Sequence, residues 1–123
     1  MGLDMWLTKR KKVTREDELM YWRKANQIRG WFRDNVDGFT DNAPVVVPKE
    51  KLEELLHVCE EVLEYESREV SEKLLPTTVG FFFGRDDYDE YYYDDVERTA
   101  DMLKSLLKDF DFDNYEVVYD EWY

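Results

Sequence analysis

The sequence predicts an α+β domain: three helices packed on a small sheet of three or four strands, alternating strand, helix, strand, helix, strand, helix, strand. Three observations predict it. Apolar and polar residues alternate at both ends of the chain, with Leu3, Met5 and Leu7 at one end and Tyr115, Val117 and Tyr119 at the other. A period of two places each set on one face of a strand. Between these ends, three stretches carry apolar residues at steps of three and four, the signature of amphipathic helices. Two short all-apolar runs, Val45–Val47 and Phe81–Phe83, read as buried strands.

Each element follows from its residues. The first strand ends in Lys9-Arg10-Lys11-Lys12, read as a basic turn. Thr14 with Asp17 marks a helix start, and Leu19, Trp22, Ala25, Ile28, Phe32 and Val36 make a stripe, so a helix is expected from about residue 15 to 36. Gly30 inside it costs ~1 kcal/mol against Ala unless close packing compensates. Residues 37–44 are rich in turn formers. After Val45–Val47, Pro48 sits where a first helical turn tolerates it. Leu52, Leu55, Leu56, Cys59, Val62 and Leu63 then form the stripe of a second helix whose glutamates fall outward. Gly80 and Gly84 flank the three phenylalanines. Asp87 with Glu90 forms a capping pattern for a third helix over about 88–108, with Tyr92, Val96, Thr99, Leu103, Leu106 and Phe110 inward.

Composition bounds the function. The chain has 123 residues, which implies one domain. Its net charge of −13 argues against binding nucleic acid or an anionic membrane, since both need Lys and Arg. The charge is also uneven. Residues 1–36 hold nine Lys or Arg and five acids, a net of +4, which leaves −17 on residues 37–123. No apolar run approaches the ~20 residues of a membrane span, and charge at Asp4 and Lys9 breaks any signal-peptide pattern. The single cysteine, Cys59, forbids an internal disulfide and fits a reducing compartment. A cytoplasmic location is expected.

Three stretches together carry a resemblance: Met1-Gly2-Leu3-Asp4-Met5-Trp6-Leu7, then Tyr21-Trp22-Arg23-Lys24-Ala25-Asn26, then Leu74-Leu75-Pro76-Thr77 running into Gly80-Phe81-Phe82-Phe83-Gly84 and Tyr88-Asp89-Glu90-Tyr91-Tyr92. In this order the chain resembles a family of small proteins of tailed bacteriophages and prophages. The family usually has Tyr where this chain has Trp6, and often a longer segment where this chain has residues 9–20. The resemblance implies a phage or prophage origin, hence the cytoplasm of a bacterial host. It supplies no catalytic residues.

Several patterns point to chemistry and are outweighed by simpler readings. Asp109-x-Asp111-x-Asp113 has calcium-loop spacing, but Asn114 replaces the required Gly and Asp120 the closing Glu. Glu54-Leu55-Leu56-His57 is one Glu-x-x-His, and His57 is the only histidine, so a di-iron pair cannot form. Cys59 lies two residues from His57, so the two point in different directions on a helix. Asp86, Asp87, Asp89 and Glu90 offer a magnesium site to a small metal-dependent enzyme, the rival reading, although helix capping accounts for two of them. No cofactor is expected.

The leading expectation is a non-enzymatic phage accessory protein. Its partner is a basic host protein that handles nucleic acid, antagonised as in anti-CRISPR or anti-restriction defence evasion, through DNA mimicry. A structural phage component is the third reading. The expected partner surface joins Asp86, Asp87, Asp89, Glu90, Tyr91, Tyr93, Asp94 and Asp95 to Tyr119, Asp120, Glu121 and Trp122 of the last strand. Outward carboxylates on a helix recur every ~5 Å, and a DNA strand presents a phosphate every ~3.4 Å.

Overall fold

A computed structural model describes residues 2–11, 15–79 and 87–123, with backbone alone for residues 10, 11 and 15–17. The fold is α+β, with four helices and one four-stranded antiparallel sheet among the described residues. In chain order these are β1 (Asp4–Lys11), β2 (Arg15–Arg23), α1 (Asn26–Asn35), β3 (Val45–Val47), α2 (Lys49–Tyr65), α3 (Arg68–Leu74), α4 (Glu90–Asp109) and β4 (Tyr115–Trp122). The sheet order is β2-β1-β4-β3, so the first and last strands lie side by side at its centre.

The parity of β1 and β4 is the one their alternation requires. Leu3, Met5 and Leu7 are fully buried, as are Val117 and Tyr119. Register sets Met5 beside Trp22 and Leu7 beside both Met20 and Tyr119. These side chains form the floor of a core roofed by Ile28 and Phe32 of α1, Leu52, Leu55, Cys59 and Val62 of α2, and Val96, Ala100 and Leu103 of α4. Residues of opposite parity, Asp4, Trp6, Thr8, Asp120 and Trp122, are half-buried or exposed. Val118 is the exception: it is buried on that outer side, between Thr8 and Val46, and stands apart from the main core.

The first long helix of the sequence reading is corrected. Residues 15–23 form β2, and only residues 26–35 are helical. Trp22 and Met20 alternate along a strand, while Ile28 and Phe32 are helical neighbours, so one run of spacings spans two elements. Two irregularities disguise the change. A bulge opposite the Leu7–Thr8 step inserts Leu19, so both Leu19 and Met20 pack against the core. Lys24 then takes a left-handed φ of 58° and its N–H bonds to the Leu3 carbonyl at 2.7 Å, turning the chain out of the sheet. The basic run is likewise corrected: Lys9, Arg10 and Lys11 belong to β1, because they pair in register with both β2 and β4.

The remaining helices adjust in number and bounds. The weak helical signal after Glu66 is a separate element, α3, capped by the Ser67 hydroxyl accepting from Val70 N–H at 3.1 Å. This gives four helices where the stripes predict three. Asp89, and not Asp87, caps α4; its carboxylate accepts from Tyr92 N–H at 3.1 Å. The expected Phe81–Phe83 strand lies outside the described residues.

Gly30 earns its place in α1 by close approach. A Cβ built there would stand 2.7 Å from the Thr78 methyl. Thr78 crosses the helix because its N–H donates to the Asn26 side chain (2.9 Å) and its hydroxyl to the Asn26 carbonyl (3.1 Å). Gly30→Ala is therefore expected to lose stability in urea denaturation, although Ala is favoured by about 1 kcal/mol in an open helix. Adding Thr78→Ser removes the methyl, keeps the hydroxyl, and is expected to restore most of the loss.

Candidate functional site

The start of α4 is built by capping. With Asp89 satisfying a first-turn N–H and Glu90 inside that turn, negative charge sits where the helix dipole favours it. Glu90, Asp94, Glu97 and Asp101 follow at steps of four, three and four, and all four are exposed. Such steps keep side chains on one face, so they form a single row rising by about 4.5–6 Å per carboxylate. The row continues at the same spacing into Lys104 and Lys108, both exposed, at the helix end that favours cations.

The tyrosines of this segment separate by role. Tyr91 is 63% exposed. Tyr92 is buried and donates its hydroxyl to the Leu75 carbonyl at 2.6 Å, with burial pushing its pKa well up. Tyr93 is half-buried, its hydroxyl 2.9 Å from that of Ser71. Only Tyr91 projects as a contact residue.

Asp87, Asp89 and Asp95 do not extend the row, while Asp94 belongs both to the row and to a cleft beside it. Asp87, Asp89, Asp94 and Asp95 line this cleft of about 580 Å³ together with Arg23, Lys24 and Arg98. Among the described residues, four carboxylates there meet three cations. Asp95 is the deepest of them: burial pushes its carboxyl up to about 6, opposed by the Arg98 guanidinium at 3.3 Å and reinforced by Asp94. Asp86 lies outside the described residues.

The last strand divides in the same manner. Tyr119 and Glu121 belong to the buried face, at 0% and 2% exposure, and add nothing to an exposed surface. Arg29 reaches both Glu121 oxygens, Nε to Oε1 at 2.9 Å and a terminal nitrogen to Oε2 at 3.2 Å. The Tyr119 hydroxyl donates to Oε1 at 2.8 Å, and the Asn42 N–H, on a residue of left-handed φ, donates to Oε2 at 2.9 Å. The same arginine reaches Asp41 at 2.9 Å, which accepts from the Tyr123 hydroxyl at 2.8 Å. Asp120 and Trp122 face the other way. Asp120 is half-buried, its carboxylate accepting from the Glu121 N–H at 2.8 Å, and Trp122 is 68% exposed.

Register brings the two segments to one end of the molecule. Arg23, in the α4 cleft, pairs with Asp4, and Asp4 pairs with Trp122. At one strand spacing per step, Trp122 lies roughly 10 Å from the Arg23 strand position. The sheet also presents residues that the expected surface omitted. Trp6 and Tyr21 are cross-strand partners with ring centroids 5.7 Å apart, and the Tyr21 hydroxyl donates to Asp4 at 2.6 Å. Trp6 is legible as outward from its alternation with Met5 and Leu7. Tyr21 is hidden by the helical misreading of its segment.

The calcium-loop and cysteine patterns take structural places among the described residues. The Asp111 carboxylate accepts from the N–H groups of Asp113 and Asn114, at 3.1 and 3.3 Å, and closes the turn into β4. Among the described residues, no group of three or more His, Cys, Asp or Glu is placed to hold a metal ion. Cys59 is fully buried and its thiol is pushed up to about 12 by burial, while His57 is exposed and lies 2.8 Å from Glu61. No helix of the described residues is long and apolar enough to cross a membrane.

Asp95 gives a pH prediction. Its folded pKa of about 6 exceeds the unfolded value near 4, so the native state binds more protons between the two. The charged Asp95 therefore lowers stability above pH 6, and that loss fades as pH falls towards 4. Asp95→Asn should melt above wild type at pH 7–8, with the difference shrinking towards pH 4. A constant difference would contradict this.

Compared with protein-family models, curated proteins and solved structures, the chain has no match.

Proposed function

We propose that this protein is a non-enzymatic binding protein that uses the exposed face of α4 to occupy a basic, nucleic-acid-handling protein. The observation that carries the reading is the row Glu90, Asp94, Glu97 and Asp101 with Tyr91 exposed beside it. Carboxylates that rise by about 4.5–6 Å per step along one face make a line of negative charge that imitates a DNA strand coarsely, more sparsely than its phosphates at every ~3.4 Å. The net charge of −13 extends this field and speeds encounter with a cationic surface. An exposed tyrosine at the edge of the row supplies the anchoring area that carboxylates lack. The resemblance to phage and prophage proteins makes a bacterial host protein the first partner to test, with interference in host defence as the biological outcome.

The test is a pull-down from bacterial lysate, with captured proteins identified and challenged with duplex DNA. The captured protein is expected to be basic and to be released by DNA. Association should slow steeply with salt, because exposed charges are screened beyond about 8–10 Å. Changing Glu90, Asp94, Glu97 and Asp101 together to Gln or Asn should abolish most of that salt dependence. Tyr91→Ala should act on dissociation, speeding it roughly 10- to 30-fold if Tyr91 anchors the contact. Equal capture by the four-fold variant would overturn the reading.

A further inference from the structure

The outer face of the sheet carries aromatic side chains where a solvent-facing sheet face is normally polar. In strand order, one row reads Tyr21, Trp6, Asp120 and the next Arg23, Asp4, Trp122. Trp122 is 68% exposed and Tyr21 38%, while Trp6 is half-buried against Tyr21. Trp6 and Trp122 are diagonal neighbours on the two central strands, within reach of one another. Asp120 stands directly beside Trp6, and Asp4 directly beside Trp122. Each indole therefore has a carboxylate residue as a direct cross-strand neighbour, and Trp6 has Tyr21 on its other side.

Flat rings on a sheet take two kinds of guest. They stack nucleic-acid bases, which also requires surrounding cations for the phosphates. Or they hold an ammonium or guanidinium over the ring face, which nearby carboxylates strengthen. The described charges around the indoles choose between the two. Asp4, Asp120 and the exposed Glu18 would repel a phosphate chain, and Arg23, which ends one row, lines the α4 cleft with the acids there. We infer that the sheet face centred on Trp6 and Trp122 receives an arginine- or lysine-bearing segment of the partner, with the cation seated on the indoles between Asp4 and Asp120. This assignment rests on the reading of the protein as a binder of basic proteins. It adds a second contact surface, at the end of the molecule where Arg23 joins the sheet to α4.

The test uses the full chain and two fluorescent probes, a nine-arginine peptide and a nine-residue oligothymidine, read by anisotropy at about 150 mM salt. Trp122→Ala changes no charge, and its exposure predicts a near-wild-type melt. It is expected to weaken peptide binding ~5- to 30-fold, with Trp122→Phe retaining most of the affinity and oligothymidine left unbound. Peptide affinity unchanged in Trp122→Ala, or no peptide binding by the wild type, overturns the assignment. Oligothymidine binding that Trp122→Ala abolishes would make the face a base-stacking platform and also overturns it. The four-fold α4 variant separates the two surfaces. If it loses the peptide while Trp122→Ala does not, the α4 reading stands and the sheet assignment falls; the reverse result leaves the sheet face and removes the α4 reading.

Discussion

The buried ion pair between Arg29 and Glu121 is the interaction on which the arrangement of this molecule depends. The Glu121 side chain is fully enclosed and that of Arg29 is 4% exposed. Two charges taken out of water are a net cost unless their remaining hydrogen-bonding capacity is met. Here Glu121 takes both prongs of the guanidinium, the Tyr119 hydroxyl and the Asn42 N–H. Arg29 in turn lies against the rings of Phe39 and Tyr123 and reaches Asp41. One pair thus ties α1, the turn at 41–42 and the last strand together. It also fixes parity. A slip of β4 by one residue would move every side chain to the other face and take Glu121 out of the core, away from Arg29 and the Tyr119 and Asn42 donors.

What lies outside follows from what that pair holds inside. With Tyr119 and Glu121 committed to the core, Asp120 and Trp122 must face outward. Antiparallel register then delivers Asp4 and Trp6 beside them. The sheet face is the complement of the core pattern. The α4 row has a different origin. It is the side of an amphipathic helix left over once Tyr92, Val96, Thr99 and Leu103 turn inward, and the dipole favours its acids near the N-terminus and its lysines near the C-terminus. The Thr99 hydroxyl fastens the helix to the sheet by accepting from the Trp22 indole at 2.8 Å while donating to the Asp95 carbonyl at 2.7 Å.

The α+β class, β3, α2, β4 and most of α4 were legible because each is governed by one uninterrupted period. The inward sets Leu3-Met5-Leu7 and Val117-Tyr119 are direct consequences of alternation. The error fell where two periods abut without punctuation. Leu19, Trp22, Ala25 and Ile28 imitate a helical stripe because the Leu19 bulge adds one residue to a strand and the Lys24 turn uses a left-handed lysine in place of glycine. At the site, alternation in β4 put Tyr119 on the same face as Val117, yet the sequence reading assigned it to the exposed partner surface, and nothing local revealed that Glu121 would be buried with it. A buried glutamate is intelligible only with its partner 92 positions away in the chain. Gly30 was the converse case. Its cost was visible in the sequence, and its cause, the Thr78 methyl, was visible only in three dimensions.

The most direct measurement is a double-mutant cycle on Arg29→Met and Glu121→Gln, followed by urea denaturation. Each single change leaves a buried group without its designed partner and should cost about 3–5 kcal/mol. The double variant should cost markedly less than the two losses combined, with a coupling of about 2–3 kcal/mol. Additive losses would contradict the account, because the pair would then not be what holds the last strand in register.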